Sequence, residues 1–338
     1  MKRKQSLLVF LLFGLFGLFG LFGLSGCVSF SDSLHLSDAT LDEPVRSIWK
    51  SQIHSHCGID PKKVIQFRKE QTKFDPWLSF EEQQATVRQT QALAQGLVKE
   101  NRIQEAIWVL DESQDPSLLE QSKQLKLQLK SLLSEGSLKL TPLSLGGSTK
   151  KKVFEIDSIM TIYKTGVDEG LAWSNVNAEA AAYVVDQFLG TNIVPMTLKR
   201  EWGSYFGSIQ VLVKNMESGS KSHLRAKNFG HLAILDYVIG NIDRKEENFL
   251  YWPSLDRVIA IDNGYSFRLD CSCYEKATDP LHYLLEETPA MQRVRNHIYD
   301  LDLDQLEAAL TPLFPGDSQA VSVVLGRVEE LQKILKSI

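Results

Sequence analysis

The chain has 338 residues, and its 42 acidic side chains outnumber its 37 lysines and arginines, so the formal charge at pH 7 is −5. An acidic chain repels the phosphate backbone, and we therefore expect no non-specific nucleic-acid partner. The four cysteines include no Cys-x-x-Cys spacing, so we assign no zinc site to them.

The first predicted element is an export signal. Met1-Lys-Arg-Lys4 precedes an apolar stretch with a fourfold Leu-Phe-Gly repeat, and this stretch ends in Leu24-Ser-Gly-Cys27. A basic start, an apolar core and small residues before the break are typical of such signals. Leu-Ser-Gly-Cys resembles the lipobox of bacterial lipoproteins, which implies that residues 1–26 are removed. The resemblance also implies that a lipidated Cys27 attaches the protein to a membrane, facing the periplasm or the cell exterior. The alternative is a plain membrane anchor, because the apolar stretch is nearly long enough to span a bilayer.

The next two segments are predicted to be a flexible tether (27–43) and a small helical domain (44–135). Residues 92–110 resemble one helical-hairpin repeat of the tetratricopeptide kind. A single repeat does not make an array, so we expect a helical domain that packs against the rest and offers a surface to a protein partner. Export permits a disulfide from Cys57 to Cys271 or Cys273, and the sequence leaves this pairing open.

At Gly136 the pattern changes from helical to strand-like. A loop with Gly146 and Gly147 precedes two apolar runs that predict two strands, and Lys164 ends the second run. Residues 174–189 are predicted to form a helix with Glu179 in its first half.

The remainder of the chain is predicted to be mainly helical. A strand over 208–213 is followed by a helix over 224–239, which leads the chain to Asp243. Further helices are predicted beyond Phe267, notably over 304–310 and 319–335.

The most informative motif is Asn241-Ile-Asp-Arg-Lys-Glu-Glu-Asn248, followed by Val258-Ile-Ala-Ile-Asp262 and then Asn-Gly. Asp243 and Asn248 are five residues apart, as are the Asp and Asn in the catalytic loop of protein kinases. Mg²⁺ prefers hard oxygen ligands, which Asn248 and Asp262 can supply, and Asp243 can orient a hydroxyl or accept its proton. The motif therefore predicts metal-dependent phosphoryl transfer.

The stretch from Leu235 to Phe267 resembles one branch of the kinase-like superfamily. This branch holds the type II phosphatidylinositol 4-kinases, the HipA-type bacterial kinases and the secretory-pathway kinases related to the Golgi casein kinase. The resemblance implies an α+β, bilobal, protein-kinase-like fold with a small β-rich N-lobe (136–215) and a helical C-lobe (216–338). It also implies that Asp243 is catalytic and that Asn248 and Asp262 bind metal. Many members have a His after the Asp-Arg pair, where this chain has Lys245.

The same resemblance implies roles for the N-lobe residues. In a kinase N-lobe a glycine-rich loop covers the phosphates of ATP, and a strand Lys contacts them while it pairs with a helix Glu. Gly146, Gly147, Lys164 and Glu179 would accordingly bind the nucleotide, with Glu169 as the alternative partner of Lys164. The expected cofactor is ATP with Mg²⁺ or Mn²⁺.

Three functions follow from the sequence. The leading one is an exported, lipid-anchored kinase that moves the γ-phosphoryl group of ATP to a hydroxyl group of a protein, lipid or sugar. The second is an inactive kinase or a helical scaffold, because little ATP is expected outside the cytoplasm. The third is adenylyl transfer on the same fold, with the nucleotide bound in the reverse orientation.

Overall fold

The computed structural model describes residues 80–113, 115–143, 151–165, 176–267, 280–286 and 288–337. Its first three helices are α1 (Phe80–Lys99), α2 (Ile103–Asp111) and α3 (Pro116–Glu135). The Asp115 side chain accepts hydrogen bonds from the N–H groups of Ser117 and Leu118, and Pro116 is the first helical residue. An Asp cap followed by Pro favours a helix start, because the fixed backbone angle of proline suits the first turn.

A five-stranded antiparallel sheet follows, with the strand order β1-β2-β3-β5-β4. Its strands are β1 (Lys139–Leu140), β2 (Lys151–Ile156), β3 (Ile159–Thr165), β4 (Thr197–Trp202) and β5 (Tyr205–Val211). Strands β2 and β3 form a hairpin whose two turn residues, Asp157 and Ser158, have φ angles of 47° and 68°. Positive φ at both positions is what a two-residue hairpin of the common twist requires. This hairpin places Lys151 directly opposite Lys164.

Helix α4 (Val176–Leu189) connects β3 to β4, and α5 (Phe229–Ile239) follows the sheet. All residues of α5 are buried. Gly240 ends α5 with a φ of 62°, in the left-handed region that favours glycine, and a Cβ at this position would meet the Arg327 guanidinium. The chain leaves α5 at this point and enters the loop that carries Asp243.

A second, three-stranded antiparallel sheet supports that loop. It consists of β6 (Glu217–Ser218), β7 (Phe249–Trp252) and β8 (Arg257–Ala260), in that order. Short 3₁₀ turns lie at Lys221–Arg225, Glu246–Asn248 and Pro253–Leu255. Strand β8 is buried along its whole length, which agrees with the apolar run that the sequence places before Asp262.

The rest of the described chain is helical, with α6 (Pro280–Leu284), α7 (Pro289–Asp300), α8 (Leu303–Leu310), a 3₁₀ turn (Thr311–Leu313) and α9 (Ser318–Ser337). These helices pack with α4 and α5 around one large apolar core. The arrangement is the predicted α+β architecture, with a small β-rich part followed by a helical part. Within the described ranges, no helix is both long enough and apolar enough to cross a membrane.

Helices α2 and α3 share their apolar core with both sheets. Ile107 and Leu133 pack with Phe154 and other residues of the first sheet. Trp108 of α2 packs with Trp252 of the second sheet, and their ring centroids are 6.4 Å apart. The bounds of the predicted helical domain stay predictions, but its described helices contact the sheets directly.

Candidate active site

The centre of the site is a buried ion pair between β3 and α4. Lys164 and Glu179 are 5% and 1% exposed, and the Lys164 ammonium contacts the Glu179 carboxylate. Burial acts to lower the pKa of Lys164, but the carboxylates of Glu179 and Asp262 outweigh it and raise the pKa above its usual value. Lys164 is therefore fully charged at neutral pH.

Asp262 brings a second carboxylate to Lys164 from the far end of β8. Its Oδ1 accepts a hydrogen bond of 2.9 Å from Lys164 Nζ, and its Oδ2 lies 3.7 Å from Lys151 Nζ. Burial opposes ionisation of Asp262, but the positive charges of Lys164, Lys151 and Arg244 outweigh this effect and lower the pKa of Asp262 to about 2. The φ of Asp262 is 56°, in the left-handed region that few residues other than glycine, Asn and Asp adopt. Such backbone conformations are concentrated at functional sites.

Asp243 and Asn248 lie at the two ends of one short loop. Asn248 Nδ2 donates hydrogen bonds to Asp243 Oδ2 (2.8 Å) and to the Asp243 carbonyl oxygen (2.6 Å). The backbone N–H of Asp243 donates to Asn241 Oδ1 at 2.9 Å. About a third of the Asp243 side chain is exposed, while Asn248 is buried. The loop thus holds a solvent-accessible carboxylate in a fixed position.

Arg244 connects this loop to the Asp262 turn. Its guanidinium forms an ion pair with Asp236 of α5 through two nitrogen atoms. It also donates to the carbonyl oxygen of Asn248, to that of Ile261 at 2.7 Å, and to Asn263 Oδ1 at 2.6 Å. One side chain therefore fixes both elements that the sequence motif predicts to act together.

Comparison with known protein families identifies the type of domain that carries this site. A family model described as phosphatidylinositol 3- and 4-kinase matches residues 147–313, the stretch that carries every side chain just described. These residues form a domain of the kinase-like superfamily. The predicted kinase-like fold is thereby confirmed. A comparison with curated protein sequences finds no match.

Solved kinase structures match this chain at a low level of similarity. The Golgi casein kinase with Mn/ADP bound is 15% identical with a TM-score of 0.46, over 90% of this chain and 93% of that one. Hydra Fam20 with sugar is 14% identical with a TM-score of 0.45, over 66% and 90% of the two chains. The Helicobacter pylori proinflammatory kinase CtkA is 13% identical with a TM-score of 0.40, over 61% and 95%. The kinase-like assignment rests on the family match.

The structure brings most of the predicted kinase residues together. Lys164 contacts both Glu179 and Asp262, Asn248 contacts Asp243, and Arg244 joins the two groups. The roles of these residues in a reaction stay predictions. Gly146, Gly147, Glu169, Cys27, Cys57, Cys271 and Cys273 lie outside the described residues.

Two residues of the kinase-like cleft are absent from the sequence-based prediction. Lys151 is the second cation on Asp262, and Asn263 donates its backbone N–H to Glu179 Oε2 at 3.1 Å. A two-residue turn at Asp157 and Ser158 fixes the register, so the cross-strand neighbour of Lys164 is Lys151. This pairing was available from the sequence. The contact of Asn263 with α4 was not, because it depends on the packing of distant segments.

The side chains of the cleft fit a divalent metal that is held jointly with a ligand. Within the described ranges, no three His, Cys, Asp or Glu side chains cluster as a complete protein metal site. Mg²⁺ in nucleotide sites is commonly bound by only one or two carboxylates, with phosphate oxygens and water completing its shell. Asp262 supplies a carboxylate that stays ionised at neutral pH, and Asn248 supplies an amide oxygen from the neighbouring loop.

Proposed function

We propose that the protein is an ATP-dependent phosphotransferase that moves the γ-phosphoryl group to a hydroxyl group of a protein, lipid or sugar. The observation that carries this proposal is Lys164, which bridges Glu179 of the first sheet's helix and Asp262 of the second sheet's turn. This bridge joins the two parts of a kinase-like fold at one point. Phosphoryl transfer depends on such positioned charges, because it requires little covalent participation by the protein.

Each polar group has one task in this proposal. Asp262 and Asn248 would hold Mg²⁺ or Mn²⁺, which when bound neutralises charge on the transferred phosphoryl group. Lys164 would contact the phosphates of ATP, and Glu179 would keep its ammonium in place. Asp243 would orient the acceptor hydroxyl and accept its proton, because its carboxylate is accessible and Asn248 fixes its rotamer.

Asp243→Asn is expected to lower the turnover number by about 10²- to 10⁴-fold, the usual contribution of a general base. The affinity for nucleotide should change little, because Asp243 does not contact Lys164 or Asp262 in the described structure. The measurement is transfer of label from γ-labelled ATP in the presence of Mn²⁺, together with equilibrium nucleotide binding. Asp304→Asn, an exposed change on α8, is the control. Full activity of Asp243→Asn, or no transfer by the unmodified protein, would contradict the proposal.

Lys151→Gln is expected to raise the Michaelis constant for ATP about tenfold, the size of one lost charge-assisted hydrogen bond. Lys151 lies on the same face as Lys164 and next to Asp262, where it can reach a nucleotide phosphate. The matched control is Lys152→Gln. Its side chain is exposed and lies over the Trp202 ring, 4.1 Å from the ring centroid, on the other face of β2. Equal effects of the two substitutions would exclude a specific role for Lys151.

Export and lipid attachment at Cys27 belong to the same proposal. The basic start, the apolar stretch and Leu24-Ser-Gly-Cys27 support it. Metabolic labelling with palmitate should mark the full chain and leave Cys27→Ser unmarked, and the variant should lose its membrane association. Equal labelling of both forms would refute attachment at Cys27.

A further inference from the structure

Helix α2 is buried on every side. Ile103–Leu110 are all buried, including two polar residues, Gln104 (3% exposed) and Glu105 (2% exposed). A helix at the surface of a separate domain would have one polar, solvated face. Polar side chains that are buried so deeply normally have specific hydrogen-bond partners, and both of these do.

The amino-terminal end of α2 is bonded to the backbone of the first sheet and of the connection that leaves it. Gln104 Oε1 accepts a hydrogen bond of 2.8 Å from the N–H of Met196, next to β4. Glu105 Oε1 accepts one of 3.1 Å from the N–H of Lys214. Lys214 lies in the connection between β5 and β6, which is the crossing from the first sheet to the second. Arg102 adds a contact of 3.3 Å to the same Glu105 oxygen.

The carboxyl-terminal end of α2 is bonded to the second sheet. Arg257 of β8, which is 2% exposed, lies 3.0 Å from Glu112 Oε1 and donates to the Trp108 carbonyl oxygen at 3.3 Å. Cations favour the last turn of a helix, where carbonyl oxygens have no partner within the helix. Strand β8 ends at Ala260, two residues before Asp262. Helix α2 is thus connected to the strand that leads to Asp262.

We propose that α2 is a positioning element of the active site: it holds the first sheet, which carries Lys164, at a set distance from the β8 turn, which carries Asp262. Glu105 is its main contact with the crossing between the sheets. This inference rests on the proposed function for its effect on nucleotide binding. In this proposal the helices before the kinase-like part influence the cleft through the backbone of the two sheets. No residue of α2 contacts the cleft's described charged side chains.

The test compares Glu105→Ala with Glu105→Gln in the full protein. Glu105→Ala removes the acceptor for the Lys214 N–H, whereas Gln retains a carbonyl oxygen at this position. We expect Glu105→Ala to weaken binding of ATP with Mn²⁺ about tenfold, within the usual range of coupling between sites. Glu105→Gln should restore most of the affinity. The control is Leu306→Ala, a core change in α8 that lowers stability in a different apolar cluster from those that contain α2.

Hydrogen exchange provides a second readout that does not depend on nucleotide. We expect Glu105→Ala to speed exchange in residues 212–216 and in the Asp262 turn, while Leu306→Ala at a matched loss of thermal stability leaves both slow. Absence of nucleotide binding by the unmodified protein would overturn the proposed function, and the exchange data would still decide the role of α2. Unchanged exchange and affinity in Glu105→Ala, or equal effects of Leu306→Ala, would overturn this inference.

Discussion

Asp262→Asn is expected to reduce phosphoryl transfer by about 10²- to 10³-fold, as does the loss of other groups that stabilise transition-state charge. The substitution removes the carboxylate that both Lys164 and Lys151 contact and that we propose as the main metal ligand. Asn is nearly the same size as Asp and tolerates the left-handed backbone of this residue. The variant should therefore fold, and its loss of activity should result from the missing carboxylate and not from misfolding.

The same substitution has a consequence for stability that depends on pH. Because the folded protein lowers the pKa of Asp262 from 3.8 to about 2, the ionised carboxylate stabilises the fold above pH 4, and this contribution disappears as the pH falls toward 2. Asp262→Asn should accordingly lower the free energy of unfolding by about 2 kcal/mol at pH 7.

Urea denaturation at pH 7 and at low pH measures this difference, and bound nucleotide is measured on the same samples. The gap between the two proteins should narrow below pH 4. Asp262→Ala is the matched comparison, because it adds backbone strain and should cost more stability at every pH. A variant that is as active as the original, or a stability gap that widens with acid, would contradict the account of Asp262.

Lys164→Met is expected to cost about 3–5 kcal/mol of stability as well as activity, because it leaves the carboxylate of Glu179 buried and unpaired. The double substitution Lys164→Met with Glu179→Gln removes both charges together. Gln retains an oxygen that accepts the N–H of Asn263, so most of the lost stability should return. Activity should not return, because no cation replaces Lys164.

Urea denaturation of the two single variants and the double variant gives the coupling energy directly. A separation of the two readouts, with stability restored and transfer still absent, would assign Lys164 a chemical role beyond its structural one. Recovery of both in the double variant would mean that Lys164 only balances Glu179. A small effect of Lys164→Met alone would contradict the burial of the pair.

Much of the site could be predicted because its parts are local in sequence. The Asp243 loop and the Asp262 turn follow a buried helix and a buried strand, and both patterns are visible in apolar periodicity. Lys164 lies near the end of a predicted strand and Glu179 lies in the first turn of a predicted helix, so both can be located from local patterns. The register of the β2–β3 hairpin would also have identified Lys151 as the cross-strand neighbour of Lys164.

The place of α2 could not be predicted in the same way. Ala, Leu and Gln at helical spacing indicate a helix, but they do not tell whether Gln104 and Glu105 face water or a distant backbone N–H. Their partners, Met196 and Lys214, lie about a hundred residues further along the chain, and the contacts exist only after both sheets have formed. The sequence therefore predicts a helical domain that packs against the rest, but not which side chains make the contacts.

The most direct test of the phosphotransferase proposal is a pair of reactions of the unmodified protein with Mn²⁺, one with γ-labelled ATP and one with α-labelled ATP. The proposed reaction transfers label from the γ position only, and Asp262→Asn reduces that transfer about 10²- to 10³-fold. Transfer of the α label would identify adenylyl transfer instead. Absence of transfer from either position, with no nucleotide-dependent rise in thermal stability, would contradict a catalytic role for this cleft.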